Sequence, residues 1–305
     1  MRSALFSIVI FFSACIQAGT QSSSEKLPQL ASVSVAVLAD NETDPLLLKN
    51  ADMQVPIASV TKIMTAMVIL DAEQDLNEYI TFTKADKQAI NNYYSRIRID
   101  SRLRRKDALR IALMSSENFA SMTLATNYPG GSKAFVQAMN DKAAELGMNQ
   151  TRFADPSGLS PNNVATASDL AKMALAAAKY PKLREFSTTG QFTANFKGPR
   201  YRLGYGNTNP LVHRTSWPID ITKTGYLDIA GRCLVMVTEV KGKKLAMVFL
   251  NSYGKRTPIG DAGRVKRWLT KGETGKVSQN ARNYEKKQLA LYKERQATQL
   301  AANES

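Results

Sequence analysis

Imidazole and thiol are nearly missing from this chain, which carries one histidine, His213, and two cysteines, Cys15 and Cys233, in 305 residues. No zinc site of His or Cys ligands can be assembled from that set, so neither a metal nor another cofactor is expected. A Ser-His-Asp triad would have to use His213. That residue stands between Val212 and Arg214 with no orienting carboxylate nearby in sequence, and reads as a hydrogen-bonded structural residue. A serine activated here would draw on lysine.

Apolar runs of membrane-spanning length are also absent. The chain opens with Met1 and Arg2, an apolar run from Ala4 to Phe12, then Ser13, Ala14 and Ile16-Gln17-Ala18. This is the layout of a secretory signal, too short to span a membrane, with cleavage expected after Ala18 and a lipid-modified Cys15 as the alternative. Removal of residues 1–18 would leave Cys233 alone, which excludes an internal disulfide despite the expected export to an oxidising compartment. Cys233 lies inside an apolar strand and reads as packing.

Acidic side chains are the minority, 26 against 41 Lys and Arg, for a net charge of +15. Such a balance points to an anionic partner. Nucleic acid is set aside, because export argues against it and no basic run is interleaved with aromatics for stacking. A cell-wall polymer or an anionic lipid surface fits better.

Taken in order, residues 19–28 read as a solvated lead-in, 29–270 as the folded domain and 271–305 as a charged tail, a frayed surface helix or disorder. Ser32 to Leu38 and Leu46 to Leu48 read as a hairpin around Asp40-Asn41. After Pro56 a helix is expected from near Ser59 through Leu70, apolar almost all round and therefore buried. Short strands are expected at Ile80–Thr83 and Arg96–Ile99, and helices at Lys106–Met114, Ser132–Leu146 and Ser168–Ala178. Between them, Thr151 to Leu159 holds Pro and Gly too close for regular structure. Strand signals return at Ile219–Lys223, Cys233–Val240 and Leu245–Leu250, followed by a last helix at Arg264–Leu269. Strands at both ends with a mostly helical stretch at about 82–181 between them predict an α/β (α+β) domain, in which one antiparallel sheet unites the two ends.

Three short patterns carry the chemistry. Ser59-Val-Thr-Lys62 places a hydroxyl and an amine one helical turn apart, where the N-terminal N–H groups favour a developing negative charge. Ser116-Glu117-Asn118 suits a tight turn that aims two polar side chains into a cleft. Lys223-Thr224-Gly225 ends a strand, and its Gly would let a ligand backbone lie alongside. Each alone is weak: Ser59 could be an ordinary N-cap and Lys62 a snorkelling surface lysine.

In this order the three are the set found in penicillin-binding proteins and class A β-lactamases. With Pro-Ile-Ala-Ser-Val-Thr-Lys-Ile-Met-Thr-Ala-Met, Leu-Met-Ser-Ser-Glu-Asn and Thr-Arg-Phe-Ala-Asp-Pro-Ser-Gly-Leu, the chain resembles the D-alanyl-D-alanine peptidases over roughly residues 30–270, most of all the endopeptidases of the penicillin-binding protein 7 type. The resemblance implies a β-lactamase/transpeptidase-like fold: a five-stranded antiparallel sheet flanked by helices, with a helical region across the cleft. It implies Ser59 as nucleophile and acyl-ester, Lys62 as general base and Ser116 as proton relay. Asn118 would hold the substrate backbone, Lys223, Thr224 and Gly225 a carboxylate end of the ligand, and the backbone N–H groups of Ser59 and Tyr226 the oxyanion. Peptidoglycan would be the substrate and β-lactams covalent inhibitors. Phe119 departs from the polar residue that relatives tend to carry, which bears on substrate preference at that edge. No β-rich domain or amphipathic anchor follows the last helix, a pattern of soluble endopeptidases. Carboxypeptidase activity is the alternative. A β-lactamase would need a deacylating carboxylate, for which Glu145 is an unpromising exposed helix residue, and a non-catalytic penicillin sensor is the third reading.

Overall fold

The computed structural model describes residues 26–303 apart from 43 and 92, so the expected signal sequence and Cys15 lie outside the described residues. β1 (Ser32–Ala39) and β2 (Leu47–Lys49) pair as a hairpin. β3 (Val55–Pro56) follows, then a 3-10 turn at Ala58–Thr61, and only then α1 (Lys62–Asp71). The helix thus begins at Lys62 rather than near Ser59. Ala58 sits at φ +48, so the chain must tighten before regular helix can start.

β4 (Tyr79–Thr81), α2 (Lys84–Ala89) and β5 (Arg102–Arg104) come next, and β4 pairs with β5. The strand expected at Arg96–Ile99 is irregular, because the Arg98 N–H donates to the Tyr201 hydroxyl (2.9 Å) and no neighbouring strand offers a ladder. α3 (Arg105–Met114), α4 (Asn118–Thr126) and α5 (Gly131–Glu145) pack against one another and α1. β6 (Val164–Ala165) pairs with β3, and α6 (Ala167–Ala177) lies across β1 and its neighbours in the main sheet.

The inserted region runs on past the expected limit near Pro181. α7 (Pro181–Thr188) starts on that proline, tolerated in a first turn, and a hairpin of β7 (Gln191–Phe196) and β8 (Tyr201–Gly206) follows. β9 (Ile219–Leu227), β10 (Gly231–Val240) and β11 (Lys243–Ser252) then complete an antiparallel sheet of order β2-β1-β11-β10-β9. First and last strands meet in register, with Val35 opposite Phe249 and Val37 opposite Met247.

Both faces of the sheet are covered, which is why its strands read as nearly continuous apolar runs. Ala36, Val235, Val237, Ala246 and Val248 join the large core with the helical region. Val35, Val37, Met236, Met247 and Phe249 face α8 (Thr257–Lys271) through Ala262 and Val265. That helix is longer than the Arg264–Leu269 read from sequence, since Pro258, Gly260 and Gly263 mask its first turns. The tail forms α9 (Gln279–Asn303), docked by Tyr284 donating to Asn251 Oδ1 (2.6 Å) and by Glu285 paired with Lys49 (2.9 Å). No helix among the described residues is long and apolar enough to cross a membrane.

Candidate active site

α1 is the buried centre of the molecule: Ile63, Met64, Met67 and Ile69 are fully enclosed. Full burial of such side chains contributes roughly 1.5–3 kcal/mol each, enough to carry an unfavourable neighbour into the core. That neighbour is Lys62, with no exposed surface. Burial lowers its ammonium from the ordinary 10.5 to about 7, while the carboxylates of Asp155 and Glu117 work against that fall. At 1.4 kcal/mol per unit, the charged form is disfavoured by roughly 5 kcal/mol.

Three acceptors surround the amine: Ser59 Oγ (2.9 Å), Asn118 Oδ1 (2.7 Å) and the Ser157 carbonyl (2.5 Å). A neutral amine has two N–H bonds and one lone pair. With Asn118 and Ser157 taking the two N–H bonds, the lone pair is left facing the Ser59 hydroxyl, the arrangement that general-base removal of a proton requires.

The Ser157 carbonyl was not singled out from sequence, and the loop that carries it is held by its own side chains. Asp155 accepts from Ser157 N (2.6 Å), Ser157 Oγ (2.6 Å), Gly158 N (2.7 Å) and Ser160 N (2.6 Å). Asn163 Nδ2 donates to Thr61 Oγ1 (3.0 Å), and the Asn163 carbonyl accepts from Ile57 N (3.0 Å), so the loop grips the 3-10 turn on both sides of Ser59. Gly158, at φ +82, lies against that turn so closely that a Cβ would stand 2.0 Å from the Ala58 carbonyl oxygen. The Asp-x-Ser-Gly spacing, a side-chain-closed turn, was the available signal.

Ser116 and Asn118 line the same cleft as Ser59. Ser116 takes φ +62, which bends the chain between α3 and α4 and aims its side chain inward. Between them Glu117 caps α4, accepting from Phe119 N (3.3 Å), and burial pushes its carboxyl above the usual range. Phe119 is fully buried, edge-on to Phe82 with centroids 5.1 Å apart. It is not among the cleft-lining residues, so it packs the core and does not form the substrate edge.

Lys223-Thr224-Gly225 lies in mid-strand, not at a strand end, because β9 continues to Leu227. Gly225 lines the cleft and also admits a neighbouring segment. A Cβ there would meet the Ile57 carbonyl at 3.0 Å and Ser59 N at 3.2 Å, so the missing side chain admits the Ser59 turn itself. Thr224 faces the cleft and donates to Thr208 Oγ1 (2.6 Å). Lys223 is buried beneath, its amine donating to the Thr224 carbonyl (2.7 Å); burial, then the charge of Lys62, push it well below its ordinary value. Tyr226 belongs to the edge strand of the sheet and lines the cleft. The cleft has a volume of about 640 Å³ and reaches past β9 to Arg232, Lys255 and Arg256.

The remaining candidates take bland roles. His213 packs under Gly190, whose absent Cβ would stand 2.8 Å from the ring. Glu145 is exposed and paired with Lys142 (3.0 Å). Cys233 is buried, its thiol pushed up to about 11 by burial. Among the described residues no group of His, Cys, Asp and Glu could hold a metal ion.

An antiparallel five-stranded sheet with a serine and a buried lysine in the cleft at its edge defines a serine hydrolase. A family model for the D-alanyl-D-alanine carboxypeptidases, peptidase S11, matches residues 20–254, and the chain belongs to that family. It is 43% identical over 291 residues to the D-alanyl-D-alanine endopeptidase of Pseudomonas aeruginosa, covering 93% of this chain and 94% of that one. The endopeptidase of Escherichia coli is 45% identical over 264 residues, 86% and 85% of the two chains. Among solved structures, the Streptomyces K15 DD-transpeptidase superposes with a TM-score of 0.74 at 28% identity, covering 80% of this chain and 98% of that one. Penicillin-binding protein D2 of Listeria monocytogenes, in its ampicillin-bound form, does so at 0.67 and 27%, with 80% and 98% covered.

Proposed function

We propose that this protein is a periplasmic peptidoglycan DD-endopeptidase that cleaves D-alanyl-diaminopimelate crosslinks through an acyl-enzyme on Ser59, and that β-lactams acylate the same oxygen. The observation that carries this reading is the amine of Lys62, fully buried and 2.9 Å from Ser59 Oγ, where burial lowers it to about 7. Lys62 takes the Ser59 proton as Oγ attacks the carbonyl of the D-alanine that donates the crosslink. The N–H groups of Ser59 and Tyr226 hold the oxyanion, an effect worth roughly 3 kcal/mol per donor. Ser116 relays the proton to the departing side-chain amine; water, deprotonated in turn by Lys62, then attacks the ester, and Lys62 returns that proton to Ser59 Oγ as the C–O bond breaks and the acid leaves. Asn118 and Thr224 position the substrate backbone. Lys223, beneath Thr224, places an amine whose charged form an anionic group of the ligand would favour.

The signal at residues 1–18 would deliver the chain to the wall, with lipidation at Cys15 as the other route. Carboxypeptidase action is a second reading, favoured by the description of the matching family model. Both reactions share the acyl-enzyme and differ in the leaving amine. Incubating the purified protein with crosslinked muropeptide dimers and with uncrosslinked pentapeptides, then weighing the products by mass spectrometry, separates them. Dimers converted to monomers is the expected result; shortening of pentapeptides alone would favour the carboxypeptidase. Benzylpenicillin should add its mass to the peptide containing Ser59 and be released slowly.

A further inference from the structure

Away from the cleft, the helical region carries a surface on which arginines and tyrosines alternate, assembled from three separated segments. β5 presents Arg102 and Arg104 outward on either side of buried Leu103, and Lys197 is bridged to Arg102. Lys197 Nζ lies 4.0 Å from the Tyr79 ring centroid and the Arg104 guanidinium 5.6 Å from it. Arg98 lies over Tyr201 (4.8 Å) and Arg96 over Tyr205 (5.1 Å). All five cations are exposed, and none takes part in an ion pair among the described residues.

Few acids face the surface. Asp100 is the one carboxylate in residues 93–104, residues 191–206 carry none, and Glu78 beside β4 is committed to Arg105. The Tyr79 hydroxyl registers the resulting potential, drawn below its ordinary value by Lys197 and Arg104. Exposed cations spread on a rigid scaffold without counter-charges are retained at a cost in self-repulsion, and an external anion relieves it. Ring faces hold the guanidinium planes in place, so little side-chain freedom is lost on binding.

Two of the segments that carry this surface run on into residues that line the cleft. Tyr93, three residues before Arg96, lines the cleft mouth, as do Asn207 and Thr208, directly after β8. Arg96 donates to the Gly204 carbonyl of that strand (2.6 Å). An anionic polymer with one crosslink seated at Ser59 would therefore meet these cations as it leaves the site.

We propose that Arg96, Arg98, Arg102, Arg104 and Lys197 form a secondary binding strip for the free carboxylates of the peptidoglycan polymer, anchoring the enzyme on the intact wall while Ser59 works on one crosslink. The strip rests on the endopeptidase reading and deepens it: small soluble muropeptides do not reach it, whereas sacculi do.

The test compares the parent chain with Arg102→Glu/Arg104→Glu/Lys197→Glu and with the gentler Arg102→Gln/Arg104→Gln/Lys197→Gln, in sedimentation with isolated sacculi over a salt series. The Glu variant should bind sacculi about tenfold or more weaker at low salt and the Gln variant less so, both with a flattened salt dependence. Their rates of benzylpenicillin acylation and of cleavage of soluble crosslinked dimers should match the parent's. Sacculus binding as tight as the parent's, in a Glu or Gln variant that still acylates normally, overturns the strip. Loss of binding to phosphatidylglycerol vesicles with sacculus binding unchanged overturns it in favour of a lipid surface. Failure of the parent to cleave dimers at all would strike the endopeptidase reading and leave the binding result to be read on its own.

Discussion

Two lysines are buried at this site, and the regions around them differ in what else is buried. The pocket under α1 gives Lys62 three acceptors and places the carboxylates of Asp155 and Glu117 within range. The pocket under β9 gives Lys223 the carbonyl of its own neighbour and, as its charged company, Lys62. Desolvation acts on both in the same direction. What separates them is the acids: two carboxylates work against the burial of Lys62 and leave it at about 7, where an amine can both accept and release a proton at neutral pH, while Lys223 is lowered by burial and further by the charge of Lys62. One amine is tuned to react, the other to answer a ligand.

Removing the tuned amine should have the largest effect. Lys62→Met keeps the length and apolar contact of the stem and deletes the base, so benzylpenicillin acylation of Ser59, followed by intact mass, should slow by about a thousandfold or more. Stability should respond with a definite sign. Lys62 titrates near 7 in the folded chain and near 10.5 unfolded, so between those values the unfolded chain binds more protons and stability rises with pH. Lys62→Met should lose that part of the slope, measured as denaturant unfolding at pH 7 and pH 10. A slope equal to the parent's would mean Lys62 is not neutral in the fold.

The same deletion on the other side should be milder. Lys223→Met leaves Ser59, Lys62 and their hydrogen bonds in place, so acylation should fall by roughly ten- to a hundredfold for ligands that bring a carboxylate to Thr224. Methyl-ester or amide analogues of the same ligands should lose little. Equal losses with charged and neutral ligands would remove the distinction between the two lysines and make Lys223 a second structural prop of the base.

How much of this was readable beforehand follows from the range of the interactions. The three motifs stand out in the sequence because short motifs record side-chain types at fixed spacing, and the structure brings Ser59, Ser116, Asn118, Thr224 and Gly225 to one cleft with Lys62 2.9 Å from Ser59 Oγ. The sheet was legible because strands covered on both faces stay apolar along their length. The partners of Lys62 were not, because Ser157 contributes a carbonyl, which every residue has, and its position depends on a loop closed by Asp155 some ninety residues along the chain. What the sequence does not show at Gly225 is the neighbour that its missing side chain admits, the Ser59 turn. The hairpin β7–β8 is faint in the sequence because few of its side chains are buried and Gly204 and Gly206 dilute the alternation of β8. The cationic strip escaped notice because its tyrosines and arginines come together only in space.

The smallest expected effect tests the acids themselves. Asp155→Asn retains one acceptor oxygen but sets an amide N–H₂ against donors now bound to Oδ1 or Oδ2, and should cost about 1–3 kcal/mol of stability through the loop. A loop merely loosened would lower the acylation rate at every pH alike. A loop whose carboxylate also holds the proton on Lys62 does more: with that charge gone the ammonium gives up its proton sooner, so the ascending limb of the acylation rate, which follows Lys62 through about 7, should move to lower pH by about one unit or less. Glu117→Gln should move it in the same direction and by less, since its field is the weaker of the two. Limbs that stay where the parent's lies in both variants would assign the tuning of Lys62 to burial alone and leave the contrast with Lys223 without its cause.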